Sequence, residues 1–355
     1  MVPLFVGSVS TYSGKNVVCL GIAKRLINDG ISMGYFKPVG VFPIKHEGAL
    51  TDEDVLFFRD ALDIKDKLTD MCPVVLTEGL LARALKGKGG GLYAKMLKGF
   101  KNVSADKDIV LMNGLGNLHH GRFLGCAELD LINDTDSKVI LTDRFEYVNI
   151  SVDGFLDAKE RLGDRLIGVI VNRVNPDKVE MVRELALPFL RKQGIATLGI
   201  MPEDPVLGAV TVGELCTALD GDLVSGEDHL DDLVERFCIG AMNVESALSY
   251  FRRVPNKAVV TGGDRSDILL AALETSTRCL VLTGDLYPSA QIVVRAEECG
   301  VPIIVVPADT SRTVDRFESI LGALSIRNEK KVERAVELVE RTVDLDTIYS
   351  ALGLK

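Results

Sequence analysis

Short apolar runs, most of them continuous rather than alternating, recur along the first part of the chain: Leu4–Gly7, Met33–Phe36, Asp108–Met112, Lys138–Thr142, Leu166–Asn172 and Ala196–Ile200. A strand that is apolar on both faces has to be covered on both faces. Between these runs lie Asn16–Asp29, Asp54–Leu62, Ala94–Phe100, Val152–Leu162 and Asp177–Gln193, patterned as helices, with Gly30 and Gly194 where a C-terminal cap belongs. Alternating strands and helices imply a doubly wound, mostly parallel α/β sheet. Ligands of such sheets sit beyond the carboxyl ends of the strands. Gly7–Lys15, Lys37, Asn113–Asn117 and Asn172–Arg173 all fall at such ends.

The pattern pauses at Pro202–Asp222, where prolines, glycines and acids mark a link or a domain edge. A second, smaller α/β unit follows. Its strands are expected at Lys257–Thr261, Arg278–Leu282 and Val301–Val306. Its helices are expected at Val244–Arg253, Asp267–Glu274, Ser289–Glu298, Thr310–Leu321 and Lys330–Thr342. The expected division is 1–216 and 217–355, within ten residues of Thr217. A chain of 355 residues suits two domains.

Bulk composition narrows the function classes. With 41 basic and 51 acidic residues, the net charge is −10, which argues against a nucleic-acid or anionic-membrane partner. No apolar run approaches a membrane span, and Met1 leads into a strand without the basic region of a signal peptide. The seven cysteines are scattered singly, as expected of reduced thiols in the cytoplasm. The four histidines, of which only His119 and His120 are adjacent, lack zinc-ligand spacing, and that pair reads as a polar loop.

The stretch Phe5–Val18, FVGSVSTYSGKNVV, has the order strand, small-residue loop, helix. Backbone N–H groups of such a turn and the following helix N-terminus bind anions, and a lysine adds a point charge on a phosphate. Thr11, Ser13, Gly14 and Lys15 fit that role. The motif is incomplete, because Val9 stands at the first glycine position and Asn16 replaces the Ser or Thr whose hydroxyl would sit on Mg²⁺.

Four segments carry a resemblance. The loop, Gly34–Gly40 (GYFKPVG), Asp108–Leu118 (DIVLMNGLGNL) and Val171–Pro176 (VNRVNP) are similar, in order, to segments of dethiobiotin synthetase and related deviant P-loop proteins. Further on, Pro202–Leu215, Ile239–Phe251, Val259–Leu273, Leu280–Pro288 and Val301–Thr310 resemble the DRTGG domain. The arrangement is similar to the N-terminal, regulatory region of long phosphotransacetylases. The resemblance covers roughly residues 1–320 and does not include that family's acetyltransferase catalytic domain, so it implies no acetyl transfer.

The resemblance implies ATP or a related nucleotide at Lys15, Lys37, Asn172 and Arg173. It also implies a Mg²⁺ site formed by the loop hydroxyl, a carboxylate after the second strand and a glutamate after the third. Here those positions hold Asn16, Asp54 (or Asp52) and Asn113. Mg²⁺ prefers charged oxygens, and phosphoryl transfer draws most of its rate from metal and positioned charge. The expected function is therefore a regulatory protein that binds a nucleotide or other phosphate ligand with little or no hydrolysis, with Mg²⁺ in doubt. The alternatives are an empty relic and an ATP-dependent ligase.

In the second unit Asp264, Arg265, Asp285 and Asp309 stand at strand ends, as a shared ligand cleft or as a dimer contact. Arg265 could equally pair with Asp264 or Asp267. The resemblance also implies a homodimer; a third reading of the chain is a subunit that docks with a separately encoded phosphotransacetylase catalytic subunit.

Overall fold

The computed structural model describes residues 1–10, 13–145, 148–322, 326 and 328–354. It divides into two compact units, Met1–Glu203 together with Val332–Lys355, and Asp204–Lys331.

The first unit is built on a six-stranded sheet in the order Thr197–Pro202, Leu166–Val174, Lys138–Arg144, Val2–Ser8 (β1), Ile109–Asn117 and Met33–Phe36 (β2). Every neighbouring pair is parallel. The continuous apolar runs are these strands. Leu4, Phe5, Val6, Ile109–Met112 and Val139–Leu141 are fully buried, as two-sided cover requires. Between β1 and β2 in the chain runs the helix Lys15–Asn28 (α1), which buries Val17, Val18, Leu20, Ile22, Ala23 and Leu26. Gly30 and Gly194 both adopt positive φ just past a helix end, as expected of cap glycines.

In sheet order β1 lies between Ile109–Asn117 and Lys138–Arg144: the strands that follow it up to Ile109–Asn117 lie on one side, and those from Lys138–Arg144 onward lie on the other. The loop after β1 therefore opens at the point where such sheets hold ligands. A hairpin of Pro43–His46 and Ala49–Asp52, paired antiparallel, then leads into the helix Glu53–Ala61.

The C-terminal segment packs with the first unit, where the sequence reading had placed its helices in the second. The helix Glu329–Thr342 approaches α1 so closely that a Cβ on Gly21 would fall 2.4 Å from Val339 Cβ. The Asp344 N–H bonds the Leu198 carbonyl at 2.6 Å, and the Tyr349 hydroxyl bonds Asp29 at 2.8 Å. Only a glycine at position 21 admits this contact.

The second unit has a five-stranded sheet, ordered Asp222–Ser225, Ile303–Val305, Thr277–Thr283, Lys257–Gly262 and Arg236–Ile239. The first pair is antiparallel and the rest are parallel. One face packs Ala247, Phe251, Ile268, Leu269, Ile292 and Ala296 against Val259, Leu280 and Leu282. The other packs Leu215, Leu219 and Phe317 against Ala258, Val260 and Val281. Both faces are thus covered, consistent with its mainly continuous strands.

Candidate functional site

The loop after β1 ends at Gly14, whose φ of +83° is the left-handed turn that glycine adopts without strain. Beside it, Asn172 Nδ2 donates to the Ser13 carbonyl at 2.9 Å and would fall 2.1 Å from any Cβ at position 14. Asn172 lies two residues before the end of its strand, Leu166–Val174, and its Oδ1 accepts the Arg173 N–H at 2.8 Å, with Arg173 at φ +51°. The end region of this strand is thus joined to the loop after β1. Thr11 lies outside the described residues.

Lys15 opens α1 and its ammonium donates to Ser8 Oγ at 3.0 Å. Burial holds this lysine below its ordinary range, against the attraction of Glu128. Ser8 Oγ in turn lies 2.7 Å from the Gly116 carbonyl and 2.6 Å from that of Ser10. Ser13 Oγ is buried and has no hydrogen-bond partner. A left-handed glycine turn, a lysine at a helix start and an unpartnered buried hydroxyl fit a phosphate group.

Lys37 lies at the end of β2 and is almost fully buried. Its ammonium bonds Asp52 Oδ1 at 2.8 Å and Asp54 Oδ2 at 2.7 Å. Burial pulls its pKa down, but Asp54 and Asp52 outweigh burial and raise it. Asp52 is committed to structure. It caps the helix Glu53–Ala61 through Asp54 N, and its other oxygen accepts Val41 N and Phe42 N at 2.7 and 2.9 Å. Of the two candidate carboxylates, Asp54 is the one with solvent access, and Lys37 sits on it.

Asn16 and Asn113 hydrogen-bond each other. Asn113 Nδ2 donates to Asn16 Oδ1 at 2.7 Å and to the Tyr35 hydroxyl at 2.9 Å. Tyr35 is fully buried and stacks on Phe58 with ring centroids 4.3 Å apart, which fixes its hydroxyl. The two positions implied to hold a metal through a hydroxyl and a carboxylate are here a neutral amide pair. The one remaining carboxylate with access bears an ammonium at 2.7 Å. This donor set does not fit Mg²⁺, which requires several charged or water oxygens in octahedral array. Among the described residues no group of three His, Cys, Asp or Glu side chains could hold a metal ion.

Sequence reasoning missed Glu128, Tyr35 and His120. Glu128 opens the helix Glu128–Asp134, is buried, and accepts the Leu115 N–H through Oε1. Its Oε2 has no partner. Burial lifts this carboxyl to about 7, opposed by the Leu115 hydrogen bond and by Lys15. The one available signal was an acid at the first position after the apolar pair Cys126–Ala127, which reads as an ordinary helix start.

In the second unit the named residues are largely occupied with one another. Arg265 gives Nε and Nη2 to the two oxygens of Asp267, at 3.0 and 3.1 Å, and Nη2 also reaches the Met242 carbonyl at 3.1 Å. Asp309 Oδ1 accepts Arg312 N at 2.9 Å at the start of the helix Thr310–Gly322. Thr283 and Thr310 share a hydrogen bond of 2.8 Å. Asp264 folds toward Gly262, where a Cβ would lie 2.5 Å from its Oδ1, and Asp285 sits in a turn at φ +57°. Of the two pairings open for Arg265, the Asp267 pair forms.

The model of the AAA domain family matches residues 3–211. The chain belongs to this AAA domain family. Directly after it, the DRTGG domain model matches residues 214–320. The order of a P-loop domain similar to dethiobiotin synthetase and a DRTGG domain is that of the N-terminal region of phosphate acetyltransferases. The phosphate acetyltransferase of Synechocystis sp. is 24% identical, over 98% of this chain and 51% of its own length. That of Nitratidesulfovibrio vulgaris is 25% identical over the same shares. The ATP-dependent dethiobiotin synthetase BioD of Thermodesulfovibrio yellowstonii is 23% identical over 59% of this chain and 92% of its own length. The chain thus spans about half the length of the phosphate acetyltransferases it matches.

Among solved structures, the MinD cell division protein of Aquifex aeolicus matches 58% of this chain and 84% of its own, at 16% identity and a TM-score of 0.35. The CBS and DRTGG domains of the regulatory region of Clostridium perfringens pyrophosphatase match 44% of this chain and 72% of their own, at 15% identity and a TM-score of 0.30.

Proposed function

We propose that the AAA domain of this chain is a regulatory nucleotide-binding module that holds a phosphate group on the Lys15 loop without metal and with little or no hydrolysis. The observation that carries this reading is the Asn113–Asn16 hydrogen bond of 2.7 Å. Both positions carry a neutral amide where the resemblance implies a hydroxyl and a carboxylate, and Asn113 Nδ2 donates to Asn16 Oδ1. Lys15, Ser13 and the Gly14 turn remain suited to an anion. Phosphoryl transfer without metal would lack most of its charge stabilisation, whereas binding needs only the donors that remain. ATP and related nucleotides are the ligand class, in keeping with the name of the dethiobiotin synthetase relative. The DRTGG domain is the part that would pass the occupancy on.

The test is calorimetric titration of ATP and ADP into the wild-type protein and Lys15→Ala, with phosphate release followed on the same samples. Binding lost in Lys15→Ala, with no release above the buffer rate, is expected. Turnover at a rate dependent on Lys15 would overturn the reading and favour an ATP-dependent ligase, whose retained features are Lys15, Lys37 and the Asn172–Arg173 strand end.

Two further parts of the reading concern partners and place. A homodimer, or a complex with a separately encoded phosphotransacetylase catalytic subunit, would give the regulatory module its target; light scattering and co-purification with that subunit check each. All seven cysteines are free thiols, and no helix among the described residues is long and apolar enough to cross a membrane, which supports a cytoplasmic setting.

A further inference from the structure

Glu128 is a charged group beside the loop that the phosphate motif and the paired asparagines leave unexplained. Its carboxyl is 1% exposed; Oε1 accepts the Leu115 N–H, and Oε2 is buried with no hydrogen-bond partner. An unpartnered carboxylate oxygen in the interior is costly, and more so when the group is ionised.

The groups that face Glu128 are few. From the strand Ile109–Asn117 comes only the Leu115 N–H, with Gly114 beside it, where a Cβ would fall 3.2 Å from Oε1. On the other side of Gly114, β1 offers the apolar ring of Phe5. The next carbonyl along, that of Gly116, takes Ser8 Oγ, which in turn takes the Lys15 ammonium. Lys15 is the charge that acts on Glu128. His120 covers Gly116, where a Cβ would fall 2.1 Å from Nδ1, and that nitrogen is also buried without a partner. Burial, then Lys15 and His119, lower the His120 pKa, so His120 adds no compensating positive charge at neutral pH.

Lys15 is the cation that acts on Glu128, while Lys37 is engaged by Asp52 and Asp54. Elsewhere at the loop, the buried Asp143 accepts Ser10 Oγ, and Arg173 follows Asn172. With Glu128 ionised, the charge of Lys15 is offset before any anion arrives. With Glu128 protonated, the charge of Lys15 is left for the ligand.

We propose that the Lys15 loop takes up its anion together with one proton, and that Glu128 is the group that carries the proton. The inference rests on the anion-binding reading of the loop given above. It makes Glu128 a charge-selecting residue of that site, and it makes occupancy fall as pH rises past neutrality. For one coupled proton the limit is about tenfold in affinity per pH unit. Burial has already lifted the carboxyl to about 7, inside the range of the titrations.

The test uses the full chain and ATP as the probe. Calorimetric titrations are run from about pH 6 to about pH 8.5, in buffers of different ionisation enthalpy, on the wild type, Glu128→Gln, His120→Gln and Lys15→Ala. Expected in the wild type are uptake of close to one proton per ATP near pH 8 and an affinity that falls up to about tenfold per unit above pH 7. Glu128→Gln keeps an oxygen for the Leu115 N–H and is fixed in the neutral form. It should bind ATP more tightly than the wild type near pH 8, with a flat pH profile, while His120→Gln keeps the proton uptake.

Binding that depends on Lys15 but takes up no proton leaves the anion site standing and overturns the role of Glu128. So does proton uptake that persists in Glu128→Gln, because the proton then resides on the phosphate or on His120. No ATP binding at any pH in the wild type removes both the site and this inference. Even where Glu128→Gln does not fold, wild-type binding that takes up no proton in any buffer overturns the role of Glu128.

Discussion

Lys15 and Arg265 stand at corresponding points of their units, each where a parallel strand has ended and a helix begins, yet their surroundings differ. Arg265 places two nitrogens on Asp267, and one of them, Nη2, also reaches the Met242 carbonyl. Lys15 makes a single hydrogen bond, to Ser8. Around Lys15 the loop pocket includes Ser13 Oγ, Asn113 Oδ1, His120 Nδ1 and Glu128 Oε2, all buried and without partners. Among the described residues of the second unit, Ser225 Oγ is the only such side-chain atom. A buried polar atom left unpaired costs about 1–3 kcal/mol, so folded chains seldom gather several in one place. A cluster of them beside a cation marks a place prepared for something that the chain does not itself supply. Polar residues at strand ends are therefore not equal evidence of a site; what separates the two regions is whether those residues have satisfied each other.

The comparison can be broken by substitutions whose effects differ in size. Lys37→Ala should be the most damaging, because it leaves Asp52 buried beside Asp54 without a counter-charge. Breaking a buried ion pair by removing one partner costs about 3–5 kcal/mol, to be read from urea denaturation. Lys15→Ala should leave the fold intact and weaken ATP binding by about 10- to 100-fold, the worth of a charge-assisted contact.

Glu128→Gln should change stability in a pH-dependent way. The folded-state pKa is raised from 4.5 to about 7, so the folded protein binds more protons than the unfolded chain across that window, and wild-type stability falls as pH rises through it. The variant should therefore match the wild type below about pH 4.5 and melt at a higher temperature above about pH 7. Arg265→Ala should do least, since the Asp267 pair is solvent-exposed and such pairs contribute little. Neither the melting temperature nor ATP affinity should move; a loss of ATP binding in Arg265→Ala would place a ligand in the second unit and erase the contrast.

Much of the architecture was legible because periodicity reports burial directly. The strands of the first sheet and the central strands of the second are the continuous apolar runs. The strands Asp222–Ser225 and Arg236–Ile239 escaped because they are short edges that mix polar and apolar residues, and an edge strand needs no continuous run. The packing of the C-terminal helices was not legible either. Glu329–Thr342 follows the second unit in sequence, and the space above Gly21, with the Asp344–Leu198 and Tyr349–Asp29 hydrogen bonds, shows where the segment belongs.

At the site, the motif residues Lys15, Asn16, Lys37, Asn113 and Asn172 were legible through their spacing and resemblance. What they do to each other was not. Asn16 and Asn113 are far apart in sequence, and their mutual hydrogen bond depends on β1 and Ile109–Asn117 being neighbours. Glu128 carries no pattern at all, since an acid in a first helical turn is usually solvated. Its importance comes from burial, which is a property of the packed chain.

The central claim is that the loop holds an anion without a metal. The most direct measurement is a pair of calorimetric titrations of ATP into the wild-type protein, one with Mg²⁺ present and one in a chelator. The account predicts equal affinity in the two, with both lost in Lys15→Ala. Tighter binding with Mg²⁺ by tenfold or more, about 1.4 kcal/mol, would contradict it, because a metal would then sit where the two asparagines bond each other.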